Sequence, residues 1–205
     1  MRCHKGKRMY SSENGLIFII SGPSGSGKTT LLKRLLKDRQ LKNTLTRSVS
    51  FTTRPKRIGE KEGQDYFFIS REEFRRLRRA QKILEWTEYL GYYYATPKEF
   101  VETQLSRGRN ILMCLDVKGA LSLKKLYPQR TVTIFILPPD IKTLRLRINQ
   151  RSQKTKESQI KRRIALAEKE WSYSSRYDYC LVNDRLEKVV DRLKKLILER
   201  ISLVR

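Results

Sequence analysis

The sequence predicts an α/β fold: a parallel sheet covered by helices and interrupted by a small inserted lobe of mixed α/β structure. Three observations carry that reading. Short apolar runs (Leu16 to Ile20, Asn110 to Asp116, Thr131 to Leu137, Tyr177 to Val182) alternate with amphipathic stretches. Their unbroken apolarity suits strands covered on both faces. The first run passes directly into Gly22-Pro23-Ser24-Gly25-Ser26-Gly27-Lys28-Thr29-Thr30, a phosphate-loop pattern wedged between strand and helix. Residues 46–96 then break the alternation with short polar and aromatic strands, which mark the insertion.

The loop makes this a P-loop NTPase fold and sets the chemistry. A row of phosphate oxygens needs convergent backbone N–H donors, and glycines let the chain turn tightly enough to supply them. Lys28 is placed to reach the β- and γ-phosphates, and the Thr29 hydroxyl to ligand Mg²⁺. The helix opening near Lys28 adds the positive end of its dipole. Leu31, Leu32, Leu35 and Leu36 give that helix its buried side. The loop implies a bound nucleoside triphosphate.

Beyond it, residues 46–53 predict one strand, and the Arg54 to Glu60 segment breaks regular structure. Residues 65–69 predict another strand. Ser70-Arg71-Glu72-Glu73 is a capping box opening a helix, whose face is marked by Phe74, Leu77, Gln81 and Leu84. Residues 85–94 are strand-like with a turn near Gly91. Helices follow from Pro97 to Arg107 and from the 110–116 strand to Tyr127. Pro138-Pro139 is expected to start the next helix. Residues 149–158 read as a mobile basic loop, and a helix resumes near Ile160 with Ile164, Ala167 and Trp171 on one face. Leu186 to Val204 closes the chain as an amphipathic helix.

The chain has 205 residues, enough for one domain with a real core. Its longest apolar runs are too short to span a bilayer, and the basic stretch 1–14 lacks the apolar centre of a signal peptide. That stretch is expected to be disordered, and Met9 is an alternative initiator. Cys3, Cys114 and Cys180 are widely spaced, and the latter two are expected to be core thiols in a reducing cytoplasm. With His4 the only histidine, histidine catalysis and a His/Cys zinc site are close to excluded. The net charge of +25 attracts polyanions, but no zinc-finger spacing or RNA-binding aromatic signature accompanies it. No specific nucleic-acid partner and no membrane partner are expected.

The lobe holds the remaining chemistry. Arg54 and Arg57 can grip a phosphate bidentately, with Tyr66 and Tyr94 adding hydroxyl donors. Glu85 suits a guanine edge, whose N1–H and amine are parallel donors, and Ser50 and Thr96 can serve the rest of the base. The competing reading is a solvated turn with core tyrosines. Ser21 to Lys28, Ser48-Val49-Ser50-Phe51-Thr52-Thr53-Arg54, Arg57-Ile58-Gly59-Glu60, Gly63-Gln64-Asp65-Tyr66, Glu85-Trp86, Gly91 to Tyr94, Leu115-Asp116 to Gly119 and Val182-Asn183-Asp184 decide between them. In these the sequence resembles the guanylate kinases from about Leu16 to Leu198.

That resemblance implies transfer of the γ-phosphoryl group of MgATP to GMP, and to dGMP. Arg54, Arg57, Glu60, Tyr66 and Tyr94 would then surround the GMP phosphate. Ser50, Glu85 and Thr96 would read guanine, with Asp116 close by and holding Mg²⁺ through water. Gly22 to Thr30 and Asn183 would serve ATP, Thr29 its Mg²⁺. Lys28, Arg54, Arg147, Arg151 and Arg163 would be catalytic, the last three from a lid over 142–172. The core is expected over 15–45, 97–141 and 173–205, and the GMP lobe over 46–96. Cys114 departs from the family, which usually carries a second acid there, so Asp116 would act alone. A phosphopeptide-binding relative without kinase activity, or a nucleic-acid-binding protein, is the alternative.

Overall fold

The computed structural model describes residues 15–151 and 157–204. The expectations for residues 1–14, and for the loop residues 152–156, lie outside these. The chain runs β1 (Ile17–Ser21), α1 (Lys28–Lys37), β2 (Leu45–Arg47), β3 (Phe51–Thr52), β4 (Phe67–Phe68) and α2 (Arg71–Arg79). It continues β5 (Ile83–Tyr89), β6 (Tyr92–Pro97), α3 (Lys98–Ser106), β7 (Asn110–Cys114), α4 (Val117–Leu126) and β8 (Thr131–Leu137). It ends α5 (Ile141–Arg151), α6 (Glu157–Trp171), β9 (Tyr179–Val182) and α7 (Leu186–Ser202).

Two sheets result. The central one is parallel throughout, in the order β2-β7-β1-β8-β9. Alternation along β1 sends Phe18 and Ile20 into a layer with Leu31, Leu35, Val189 and Leu193 of α1 and α7. Ile17 and Ile19 face the opposite layer, with Val101, Leu105, Ala120 and Leu123 of α3 and α4. Both faces are thus dry, which is why the strand reads as an unbroken apolar run. Each fully buried Ile or Leu there contributes about 1.5–3 kcal/mol. The smaller sheet, ordered β4-β3-β6-β5, is mixed. Its β5–β6 hairpin turns through Leu90 and Gly91, both at positive φ, the geometry of a two-residue primed turn.

Several expectations need correction. The strand expected over 46–53 is two strands in different sheets, β2 beside β7 and β3 beside β6. Central-sheet bonding persists to Ser48, whose N–H donates to the Leu112 carbonyl, so the lobe's sheet begins only at Phe51. Helix α2 stops at Arg79, and Gln81 takes a φ of 54°, so Gln81 and Leu84 do not continue its face. At its start the Ser70 hydroxyl accepts the Glu73 N–H at 3.0 Å, but the Glu73 carboxylate pairs with Arg76 instead of closing the box. The strand expected to reach Asp116 ends at Cys114, because Asp116 caps α4. The two prolines precede α5, which is capped by the Asp140 carboxylate accepting the Thr143 N–H at 2.6 Å. Both α5 and α6 extend into the span expected as a loop. Finally, β9 is an edge strand: Tyr179 and Leu181 pack inward, while Cys180 and Val182 are exposed. Cys180 is therefore no core thiol.

Candidate active site

The phosphate loop lies at the C-terminal end of β1, where open parallel sheets bind ligands. Gly27, at φ 95°, turns the chain into α1, and a Cβ there would collide with the Asn183 amide. Asn183 is 6% exposed and donates from Nδ2 to the Ser26 carbonyl at 2.8 Å. Its side chain is thus turned to the loop and pins it from β9. Lys28 Nζ donates to the carbonyls of Gly22 (2.6 Å) and Pro23 (2.8 Å), folding over its own loop. Pro23 and Ser26 lie buried in the loop's base, Thr29 is exposed on the cleft wall, and Thr30 is exposed on α1 away from the cleft lining.

Across the cleft, the lobe and the end of β7 bring two acids together. The Glu85 carboxylate on β5 accepts the Thr96 hydroxyl at 2.5 Å through Oε1, while its buried Oε2 has no partner among the described residues. Burial pushes this carboxyl up to about 7, the Thr96 bond opposing and the Asp116 charge adding. Asp116 is likewise raised, chiefly by burial, although the Gly119 N–H donates to its Oδ1 at 2.8 Å. A Cβ on Gly119 would lie 2.7 Å from Glu85 Oε2 and 3.2 Å from Asp116 Oδ1. The glycine lets α4 approach both acids closely.

The arginines form a second cluster. Arg54, 8% exposed, donates from Nη2 to both Glu60 oxygens (2.7 and 3.0 Å) and from Nη1 to the Pro55 carbonyl (2.7 Å). Its guanidinium sits over the Tyr66 and Phe68 rings, and Tyr66 meets Tyr94 edge to face. Glu60 also accepts the Arg57 N–H at 2.8 Å and so organises the whole turn. Desolvation, then the like charges of Arg54 and Arg163, lower the pKa of Arg57. That crowding of positive charge is relieved by an anion. Arg163 of α6 shares this wall with Arg54, Arg57 and Ser24, whereas Arg147 of α5 stands beside Gly25. The side chain of Arg151 lies outside what is described.

Ser50 is buried on the cleft wall. Cys114, expected in the core, is half-buried and lines the cleft as a neutral thiol, its pKa raised by burial. Several lining residues were given no role in the sequence reading, among them Arg47, Ser48, Thr87, Tyr89 and Glu170. Tyr89 shares a wall with Ile148 and Arg163, Ser48 has a buried hydroxyl with no partner among the described residues, and Glu170 is a buried carboxylate on α6. Ser48 opens one quoted motif and Tyr89 lies two residues before another, so proximity was their signal. Glu170 had none, being one acid in a charged amphipathic helix.

The donor set suits Mg²⁺. An exposed threonine hydroxyl and a carboxylate open onto one cleft, and among the described residues no cluster of three metal-ligating side chains competes with them. Hard oxygen donors in that small number match a metal bound largely through substrate phosphates.

A phosphate loop opposite a lobe of paired arginines and a half-satisfied buried carboxylate defines a class, the nucleoside monophosphate kinases. The family model for guanylate kinase matches residues 15–200. The chain is 40% identical over 189 residues to the guanylate kinase of Wolbachia sp. subsp. Brugia malayi (strain TRS), covering 92% of this chain and 95% of that one. It is 41% identical to the guanylate kinase of Caldanaerobacter subterraneus subsp. tengcongensis, over 93% and 90% respectively. The crystal structure of guanylate kinase from Anaplasma phagocytophilum superposes with a TM-score of 0.75 at 32% identity, covering 92% of this chain and 87% of that one. The chain belongs to the guanylate kinase family.

Proposed function

We propose that the protein transfers the γ-phosphoryl group of MgATP to GMP or dGMP, in the cytoplasm, with the roles divided as follows. The core segments 15–45, 97–141 and 173–205 hold ATP on the loop, the lobe 46–96 holds GMP, and the lid 142–172 covers both. Arg54, Arg57, Tyr66 and Tyr94 hold the acceptor phosphate, with Glu60 fixing the two arginines. Glu85, backed by Thr96 and Ser50, reads guanine. Thr29 and Asp116 hold Mg²⁺, which supplies charge neutralisation between the two nucleotides. Asn183 serves ATP by pinning the loop.

The acceptor is already an anionic oxygen near neutral pH, so no general base is needed. The protein's task is to align two polyanions and offset their repulsion. Lys28 leaves its loop carbonyls for the phosphates of ATP, and Arg163 and Arg147 approach the transferring group from the lid, with Arg151 assigned there by family resemblance. Closing the lid excludes water, which protects ATP from hydrolysis. No helix of the described residues is long and apolar enough to cross a membrane.

The observation that carries this reading is the unpartnered Glu85 Oε2, buried in the same cleft as the phosphate loop. A buried acceptor without a donor is costly, and the parallel donors of guanine remove that cost. Glu85→Gln should lower kcat/KM for GMP by about 10- to 100-fold, since an amide cannot accept both donors. Unchanged GMP efficiency in that variant would remove Glu85 from the role.

A further inference from the structure

Asp65 stands in one of the motifs that mark the lobe, yet none of these steps uses it. It lines the cleft beside Tyr66, with its side chain 13% exposed. A negative charge on the wall of a cleft that receives phosphates opposes them. Its place is explained by what it holds together.

The carboxylate first closes a turn. Its Oδ2 accepts the Lys61 N–H at 2.9 Å, and the Asp65 N–H donates to the Lys61 carbonyl at 2.9 Å. Gly63, at φ 67°, donates to the Tyr66 carbonyl at 2.9 Å. Residues 61–66 thus fold back on themselves, with Tyr66 at the end of the turn. The central layer then grips that turn at the same residue. Lys33 Nζ of α1 lies 3.1 Å from Asp65 Oδ1, and Arg47 Nη2 of β2 donates to the Asp65 carbonyl at 3.2 Å. Helix α1 opens at Lys28 and Thr29. The helix that leads out of the phosphate loop is therefore joined, through Lys33 and Asp65, to the residue next to Tyr66. Lys33 is 55% exposed, so water screens the ion pair and its share is modest. The bond from the Lys61 N–H is charge-assisted and stronger.

We propose that Asp65 is a positioning residue, which fastens the turn carrying Tyr66 to α1 and β2 and so sets the Tyr66 hydroxyl where the acceptor phosphate meets it. The proposal rests on the kinase reading of the cleft. It places the effect of Asp65 on GMP, through Tyr66, and leaves ATP on its loop untouched.

The test is steady-state kinetics of the full chain with MgATP and GMP. Asp65→Ala removes the bond that closes the turn together with the ion pair, and KM for GMP should rise about tenfold. Asp65→Asn keeps an acceptor for the Lys61 N–H and loses the ion pair, so the rise should be about threefold. KM for ATP should hold within about twofold in both. The decisive comparison is made in a Tyr66→Phe background, which lacks the hydroxyl that Asp65 positions. There neither Asp65 substitution should raise KM for GMP further, whereas a role in stability alone would cost the same in either background. Thermal midpoints recorded alongside establish folding, and if Asp65→Ala does not fold, Asp65→Asn carries the comparison. A wild-type KM for GMP in the folded Asp65 variants, losses that multiply in the double variant, or an equal rise in KM for ATP would each overturn the proposal. No turnover by the wild-type chain would contradict the kinase reading, and the proposal with it.

Discussion

Glu85 and Glu170 are both held near 7 by burial, the Asp116 charge adding in each case. The ordinary value for glutamate is 4.5. Between about 4.5 and 7 the folded chain therefore keeps protons that the unfolded chain has released. Stability from these groups is complete below that window and is lost as pH rises through it. Denaturant unfolding between pH 5 and 8 should show this decline, and Glu85→Gln should lessen it. GMP binding should run the other way, because only the ionised carboxylate accepts both guanine donors. Affinity should rise about tenfold from pH 6 to pH 8 beyond any change shown by Glu85→Gln. Equal slopes in the two proteins would contradict this coupling. At this scale the phosphate loop was legible from its motif alone, whereas Glu85, Arg54 and Arg57 needed the family resemblance to separate them from a solvated turn. The sequence could not show that Asn183 turns back to Ser26, a contact across 157 residues of chain, or that Glu170 lines the same cleft as Lys28.

Elements were legible where one force dominates. Burial on both faces made β1, β7 and β8 obvious, and a cap fixed the start of α2. The misses occur where two patterns merge. The apolar period of α2 runs on into β5 by coincidence, and only the left-handed Gln81 separates them. Residues 45–52 pass from one sheet to another without a breaker, so they read as one strand. Strand β9 looks uniformly apolar, yet as an edge strand it is covered on one face only. Helix α4 offers a direct test of element against site. Gly119→Ala favours the helix by about 1 kcal/mol, yet its Cβ must push Glu85 aside. The thermal midpoint should change little, while KM for GMP rises at least about tenfold and KM for ATP stays put. An unaltered KM for GMP would show that Glu85 need not sit where it does.

Across the whole molecule, the smaller sheet, the phosphate loop and α6 converge on one cleft whose walls differ in charge. Lys28, Arg54, Arg57 and Arg163 make one side positive, the side proposed for phosphates, and Glu85 and Asp116 make the other acidic, the side proposed for base and metal. The net charge of +25 is far more than this cleft uses, and much of it lies on exposed helix faces such as Arg75 and Arg79 of α2. The α/β organisation and the inserted lobe were readable because their strands are short and local. The closeness of α6 to both arginine wall and phosphate loop was not, because it arises only when α5 and α6 pack beside the loop. The most direct measurement of the central claim is ADP formation from MgATP with GMP, dGMP, AMP, CMP or UMP as acceptor. Turnover confined to GMP and dGMP is the predicted result. Equal turnover with every acceptor would leave the phosphate loop its role and contradict guanine reading by Glu85, and no turnover with any of them would contradict the kinase itself.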